Sequence, residues 1–149
     1  MLKSTLAKAL SNHPRTVLIN EDTWLSLFYP NQIKTLANYI EKSELIKNAL
    51  AVHIANILNA GNRVIMDFPT NTPNQRSWLK LLADNTRMPY LFHILKIDSN
   101  EYKKRLLQRN QQNGNPFQAT EAEFDLITQH FSYPAPSEGL NQKKYSEFK

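Results

Sequence analysis

Arg63-Val64-Ile65-Met66-Asp67-Phe68-Pro69-Thr70-Asn71-Thr72-Pro73 is the stretch that decides the fold. Its apolar run is short and rich in branched residues, which suits a strand buried on both faces. Pro73 then stands where a helix would start, and Trp78, Leu79, Leu81 and Leu82 form that helix's apolar face. A buried strand running into a helix is the repeating unit of an α/β protein.

The same alternation continues in both directions. Upstream, Leu6, Ala7, Ala9 and Leu10 carry helical spacing from about Lys3 to Asn12, and Pro14 stops the helix. Thr16–Asn20 reads as a short buried strand, and Glu21 to Asn31 as a segment of turn and cap residues mixed with Trp24, Leu25 and Phe28. Ile33 to Leu58 mark a long helix ending at Gly61, long enough to bend or break midway. Downstream, Tyr90 to Ile97 predicts a third strand and Ser99 to Gln112 a helix. Asn113-Gly114-Asn115-Pro116 is a polar loop, and Thr120 with Glu123 forms a capping box. Beyond Phe131 the prolines Pro134 and Pro136 predict a loop-like tail over about 132–149. The expected architecture is a single α/β domain, a three-layer sandwich around a mostly parallel sheet.

Composition narrows the chemistry. The chain has 149 residues, no cysteine, and four histidines, His13, His53, His93 and His130, scattered along it. Thiolate metal sites, disulfides and cysteine nucleophiles are excluded. No apolar run approaches the roughly 20 residues that span a bilayer, which predicts a cytoplasmic protein without a membrane partner. The net charge of +5 suits an anionic partner. No aromatic-basic signature of RNA binding is present, so a nucleotide is the expectation rather than a nucleic acid.

Ligands of open parallel sheets bind outside the carboxyl ends of the strands. Two such ends carry carboxylates: Asn20-Glu21-Asp22 after the first strand, and Asp67 at the end of the second. Asp22 and Asp67 suit a Mg²⁺ ion or a general base, or else cap a helix. Asn71 and Arg76 either contact a substrate or cap the following helix. Arg105 and Arg109 lie four apart on one helix face and suit a clamp on phosphates, or a solvent-facing pair with Glu101. Trp24 and Trp78 read as core residues. The chain's first residues, Met1-Leu2-Lys3-Ser4-Thr5, read as the last part of a phosphate-binding loop, G-x-x-x-x-G-K-[ST].

Taken in order, Lys3-Ser4-Thr5, Ile19-Asn20-Glu21-Asp22-Thr23-Trp24, Val64 to Thr72, Arg105-Leu106-Leu107-Gln108-Arg109-Asn110 and Phe117 to Phe131 resemble the small P-loop phosphotransferases, the AAA-type ATP-binding or zeta-toxin/kinase-like group. The resemblance implies ATP and Mg²⁺ as cofactors. Lys3 would contact the β- and γ-phosphates, Ser4 would coordinate Mg²⁺ with Thr5 beside it, and Asp67 would be the acidic residue near the metal. Asp22 would be the base or a substrate contact, and Arg105 and Arg109 lid residues. The implied activity is phosphoryl transfer from ATP to a small-molecule hydroxyl in the complete form, with a degenerate or truncated site in this chain. A noncatalytic binding protein on the same fold is the alternative.

The chain departs from the family at both ends. Leu2 stands where the last loop glycine is expected, and a strand and glycine-rich loop precede the lysine in the family. That strand is normally central, between Val64–Asp67 and Tyr90–Ile97, so the expected sheet has a gap: the flanking strands close up, a partner strand or an oligomer fills it, or this start is not the natural one. Leu140-Asn141-Gln142-Lys143 replaces a more apolar final strand and predicts a frayed tail.

Overall fold

The computed structural model describes residues 3–96, 100, 101, 103, 104, 107, 108 and 131–145. Within them the chain runs α1 (Lys3–Ser11), β1 (Thr16–Asn20), α2 (Glu21–Phe28), α3 (Leu36–Asn59), β2 (Arg63–Asp67), α4 (Pro73–Thr86), β3 (Phe92–Leu95), a short 3₁₀ turn (Pro136–Glu138) and β4 (Gln142–Tyr145). The chain divides into two compact units. One comprises Met1–Ile19, Leu50–Lys96 and Phe131–Lys149, the other Asn20–Ala49 and Ile97–His130.

In the first unit α1 packs against β2 and buries Leu6 and Ala7. Ile19, Leu50, Ile54, Phe68 and Ala83 complete its buried apolar set, and the Phe68 and Trp78 rings lie 5.7 Å apart. Each fully buried Ile, Leu or Phe contributes about 1.5–3 kcal/mol. The start of α4 is fixed chemically. Thr72 is the N-cap, its hydroxyl accepting from Gln75 N–H, the Gln75 side chain reaches back to the cap, and Pro73 opens the first turn. Arg87 ends the helix in the left-handed region at φ 55°.

The strands form two sheets of two, β1 with β2 and β3 with β4, rather than one continuous sheet. Among the described residues no central strand joins them, and β2 and β3 do not close up onto one another. The apolar residues of β2 and β3 are accordingly only half-buried, whereas strands interior to a doubly covered sheet are buried. The tail expected to be loop-like contains β4, which pairs in parallel with β3 from Phe92 opposite Gln142 to Leu95 opposite Tyr145. Its sequence, Gln-Lys-Lys-Tyr, hides the strand because backbone bonds hold it rather than an apolar run. Phe92 N–H donates to Asn141 O at 2.8 Å and Lys96 N–H to Tyr145 O at 3.3 Å. Exposed lysines also suit an edge strand.

In the second unit the segment read as turns is the helix α2. Asn20 caps it, its side chain accepting from Thr23 N–H at 2.9 Å, and Leu25 is fully buried. Trp24 stacks on the exposed Phe28 at 5.5 Å between centroids. The long helix, expected to bend or break midway, is α3, which runs unbroken over 24 residues. Asn100, Glu101, Lys103, Lys104, Leu107 and Gln108 are helical, within the helix expected from Ser99 to Gln112. Arg105, Arg109, the Asn113–Pro116 loop and the Thr120–Glu123 capping box lie outside the described residues.

Candidate functional site

The carboxyl end of β2 and the first turn of α1 meet at one carboxylate. Asp67 is the last residue of β2 and its side chain is 3% exposed. Ser4 Oγ donates to Asp67 Oδ2 at 2.7 Å, and Lys3 Nζ lies 3.1 Å from Asp67 Oδ1. The same ammonium donates to the Phe68 carbonyl at 2.9 Å. The sequence places these residues more than 60 positions apart, and the packing of α1 on β2 brings them together.

Two properties of this cluster bear on chemistry. The Ser4 hydroxyl spends its one proton on Asp67, so its lone pairs stay available to a cation. The Lys3 side chain is 52% exposed on a flexible four-carbon stem, so its ammonium can exchange one anionic partner for another. Thr5, next along α1, is exposed. A hydroxyl, a buried carboxylate and a swinging ammonium at a helix N-terminus are a donor set that fits a metal ion with a phosphate group.

Other residues expected at the site have different surroundings. Asp22 sits half-buried in the first turn of α2. Asn71 is held through its backbone, its N–H donating to Gln75 Oε1 at 2.8 Å and its carbonyl accepting from Ser132 N–H at 2.8 Å. Arg76 is 1% exposed and turned into the protein. Its Nε donates to Glu138 Oε1 at 2.8 Å, and Nη1 donates to Thr70 O at 2.9 Å and Ser132 O at 2.7 Å. Nη2 donates to Ser132 Oγ at 3.1 Å and Glu138 Oε2 at 3.0 Å. These bonds match the five N–H groups of a guanidinium, leaving no donor for a substrate. Arg76's hydrogen bonds, joined by that of Ala135 N–H, hold the Glu138 carboxyl below its ordinary pKa.

Sequence reasoning named Glu21 just after β1 without foreseeing that it is buried. Glu21, 2% exposed, accepts from Tyr39 OH at 2.6 Å on Oε2 and from Ser43 Oγ on Oε1. The signal was present in part, since Asn20 followed by two acidic residues is a helix start. Its hydroxyl partners, 18 and 22 positions on, leave no local trace.

The sequence model of the AAA domain family matches residues 3–134. The chain belongs to the AAA domain family. This is a P-loop NTPase and kinase-like family, and its P-loop members generally bind nucleotide with Mg²⁺. Lys3, Ser4, Asp67 and Arg76 fall inside the matched span of the AAA domain, whereas Glu138 and β4 lie beyond it. No curated protein and no solved structure matches the chain. No described helix is long and apolar enough to cross a membrane.

Proposed function

We propose that this AAA-domain chain binds ATP with Mg²⁺ at Lys3, Ser4 and Asp67 and transfers phosphoryl to a hydroxyl of a small molecule. One observation carries the reading: Ser4 and Lys3 converge on the buried Asp67 carboxylate at 2.7 and 3.1 Å. In this reading the Ser4 hydroxyl and Asp67 hold the metal, the first directly and the second by orienting that hydroxyl. Lys3 leaves Asp67 and Phe68 O for the phosphates, with Thr5 beside it. Bound there, ATP would supply the transferable group and Mg²⁺ would offset the charge developing on its phosphate oxygens. Asp22 is our candidate to take the acceptor's proton, and Arg105 and Arg109 are our candidates for lid residues.

The test is transfer of labelled phosphate from ATP into a panel of hydroxyl-bearing small molecules. The reading expects Mg²⁺-dependent transfer that Asp22→Asn slows at least tenfold with little change in ATP affinity. Hydrolysis or transfer that persists in Ser4→Ala with added EDTA contradicts it.

A second reading is supported by the two separate sheets. β2 and β3 each have one hydrogen-bonded neighbour among the described residues, and their apolar side chains are half-exposed. In this reading an extended segment, from a partner or a second copy, pairs beside them and the chain acts as a binding protein. A concentration-dependent rise in mass or in thermal midpoint supports it; a monomer at all concentrations that still binds MgATP favours the first reading.

A further inference from the structure

Arg76, expected to contact a substrate or cap the following helix, has every side-chain N–H bonded within the protein. We infer that Arg76 is a positioning residue of the nucleotide site, acting through the Thr70–Thr72 turn that leads out of Asp67 and Phe68, with Glu138 and Ser132 as its anchors. The inference rests on the reading of Lys3, Ser4 and Asp67 as the nucleotide site.

The turn is held from two sides. From α4, Arg76 Nη1 donates to Thr70 O, Arg76 N–H donates to Thr72 O at 3.1 Å, and Gln75 Oε1 accepts from Asn71 N–H and Thr72 N–H at 2.8 and 3.2 Å. From the C-terminal segment, Ser132 N–H donates to Asn71 O. These bonds satisfy backbone groups that would otherwise be left unpaired in a part-buried turn. Arg76 links the two sides, since Nη1 bridges the carbonyls of Thr70 and Ser132, and Glu138 receives the other edge of the fork.

That bridge matters to the site because only Phe68 and Pro69 separate Asp67 from Thr70. Phe68 itself supplies the carbonyl that holds Lys3. A shift of the turn by about 1 Å is enough to lengthen the Ser4–Asp67 bond beyond useful range, and displacements of that size carry large penalties in catalytic and binding sites. A guanidinium is required, because a lysine point charge cannot donate to two carbonyls and a bidentate carboxylate together. Glu138 lies in the C-terminal segment, beyond the span matched by the AAA domain.

The experiment uses the whole chain and the variants Arg76→Lys and Glu138→Gln, with the fold of each checked by far-ultraviolet circular dichroism. In ligand-free protein, hydrogen exchange at the Asn71 and Thr72 amides is expected to quicken at least tenfold in Arg76→Lys. Calorimetric titration with MgATP is expected to show at least tenfold weaker binding for Arg76→Lys and a smaller loss for Glu138→Gln. Ser4→Ala is expected to weaken binding less in the Arg76→Lys background than in the wild type, because Ser4 no longer meets a positioned Asp67. A folded Arg76→Lys that binds within twofold of wild type, or a Ser4→Ala effect equal in both backgrounds, overturns the inference. Where Arg76→Lys does not fold, Glu138→Gln and Ser132→Ala decide by the same criteria. Quickened exchange in Arg76→Lys, together with a wild type that binds no MgATP, retires the nucleotide reading, and with it this role, while leaving the clamp itself in place.

Discussion

Lys3 and Arg76 are two cations bound to opposite ends of the same short segment, and they are built in opposite ways. Lys3 is half-exposed, contacts one carboxylate and one carbonyl, and has a stem free to swing. Arg76 is buried, with every N–H committed to the protein. The carboxylates divide in the same manner: Asp67 is met by a hydroxyl with spare lone pairs and by a movable ammonium, while Glu21 is closed off by Tyr39 and Ser43. Exchangeable partners mark groups available for ligand chemistry; saturated partners mark groups that hold the fold. Residue type alone does not separate the two.

The largest effect that sharpens this contrast is expected from Arg76→Ala. Removing one partner of a buried ion pair strands the other and typically costs about 3–5 kcal/mol. Because the Glu138 side chain keeps 17% exposure, the lower end of that range is expected, read as a loss of denaturant midpoint. Lys3→Ala removes a cation that is itself half-exposed and leaves the Ser4 bond to the buried Asp67 in place, so a smaller loss is expected, and an equal loss from both would break the contrast.

Asp67→Asn probes the exchange directly. The variant removes the charge that holds Lys3, so ATP without Mg²⁺ is expected to bind several-fold more tightly than to wild type, while the gain from adding Mg²⁺ disappears. Titrations with and without EDTA check this, and weaker binding under both conditions would show that Asp67 does not compete for Lys3.

Tyr39→Phe tests the closed carboxylate. A hydrogen bond to a charged group contributes about 1.5–3 kcal/mol, so a stability loss of that order is expected with MgATP affinity unchanged. Thr72→Ala removes the α4 cap and is expected to cost about 1 kcal/mol.

The smallest effect is on pH dependence. Arg76's hydrogen bonds hold the Glu138 carboxyl below the ordinary 4.5, so its folded form takes up a proton less readily than the unfolded chain. The clamp's contribution is therefore present above about pH 4.5 and is lost as pH falls through the lower folded value. Burial, with Lys143 close by, lowers His93 below 6.5, so β3–β4 stability is present above that pH and declines below it. His93 Nδ1 and Tyr145 OH are hydrogen-bonded at 2.7 Å across the β3–β4 pair. Urea midpoints between pH 7 and 4 check both, with Glu138→Gln expected to flatten the lower limb.

Much of this was legible in the sequence because the signals were local. Thr16–Asn20 and the β2 run are short apolar strands, and Thr72 with Pro73 announces α4 through cap chemistry. Lys3, Ser4 and Asp67 were legible as motif positions. Illegible were the interactions that link distant residues or depend on backbone alone. Arg76 and Glu138 stand 62 positions apart, and β4 carries no apolar run. The helix α2 was obscured because its eight residues are too few to show a clear period beside their aromatic content.

The most direct test of the central claim is calorimetric titration of the chain with ATP plus Mg²⁺, run beside Lys3→Ala. Saturable binding to the wild type that falls at least tenfold in Lys3→Ala is the expected result. Binding of equal strength to both proteins, or to neither, contradicts the assignment of Lys3, Ser4 and Asp67 as the nucleotide site.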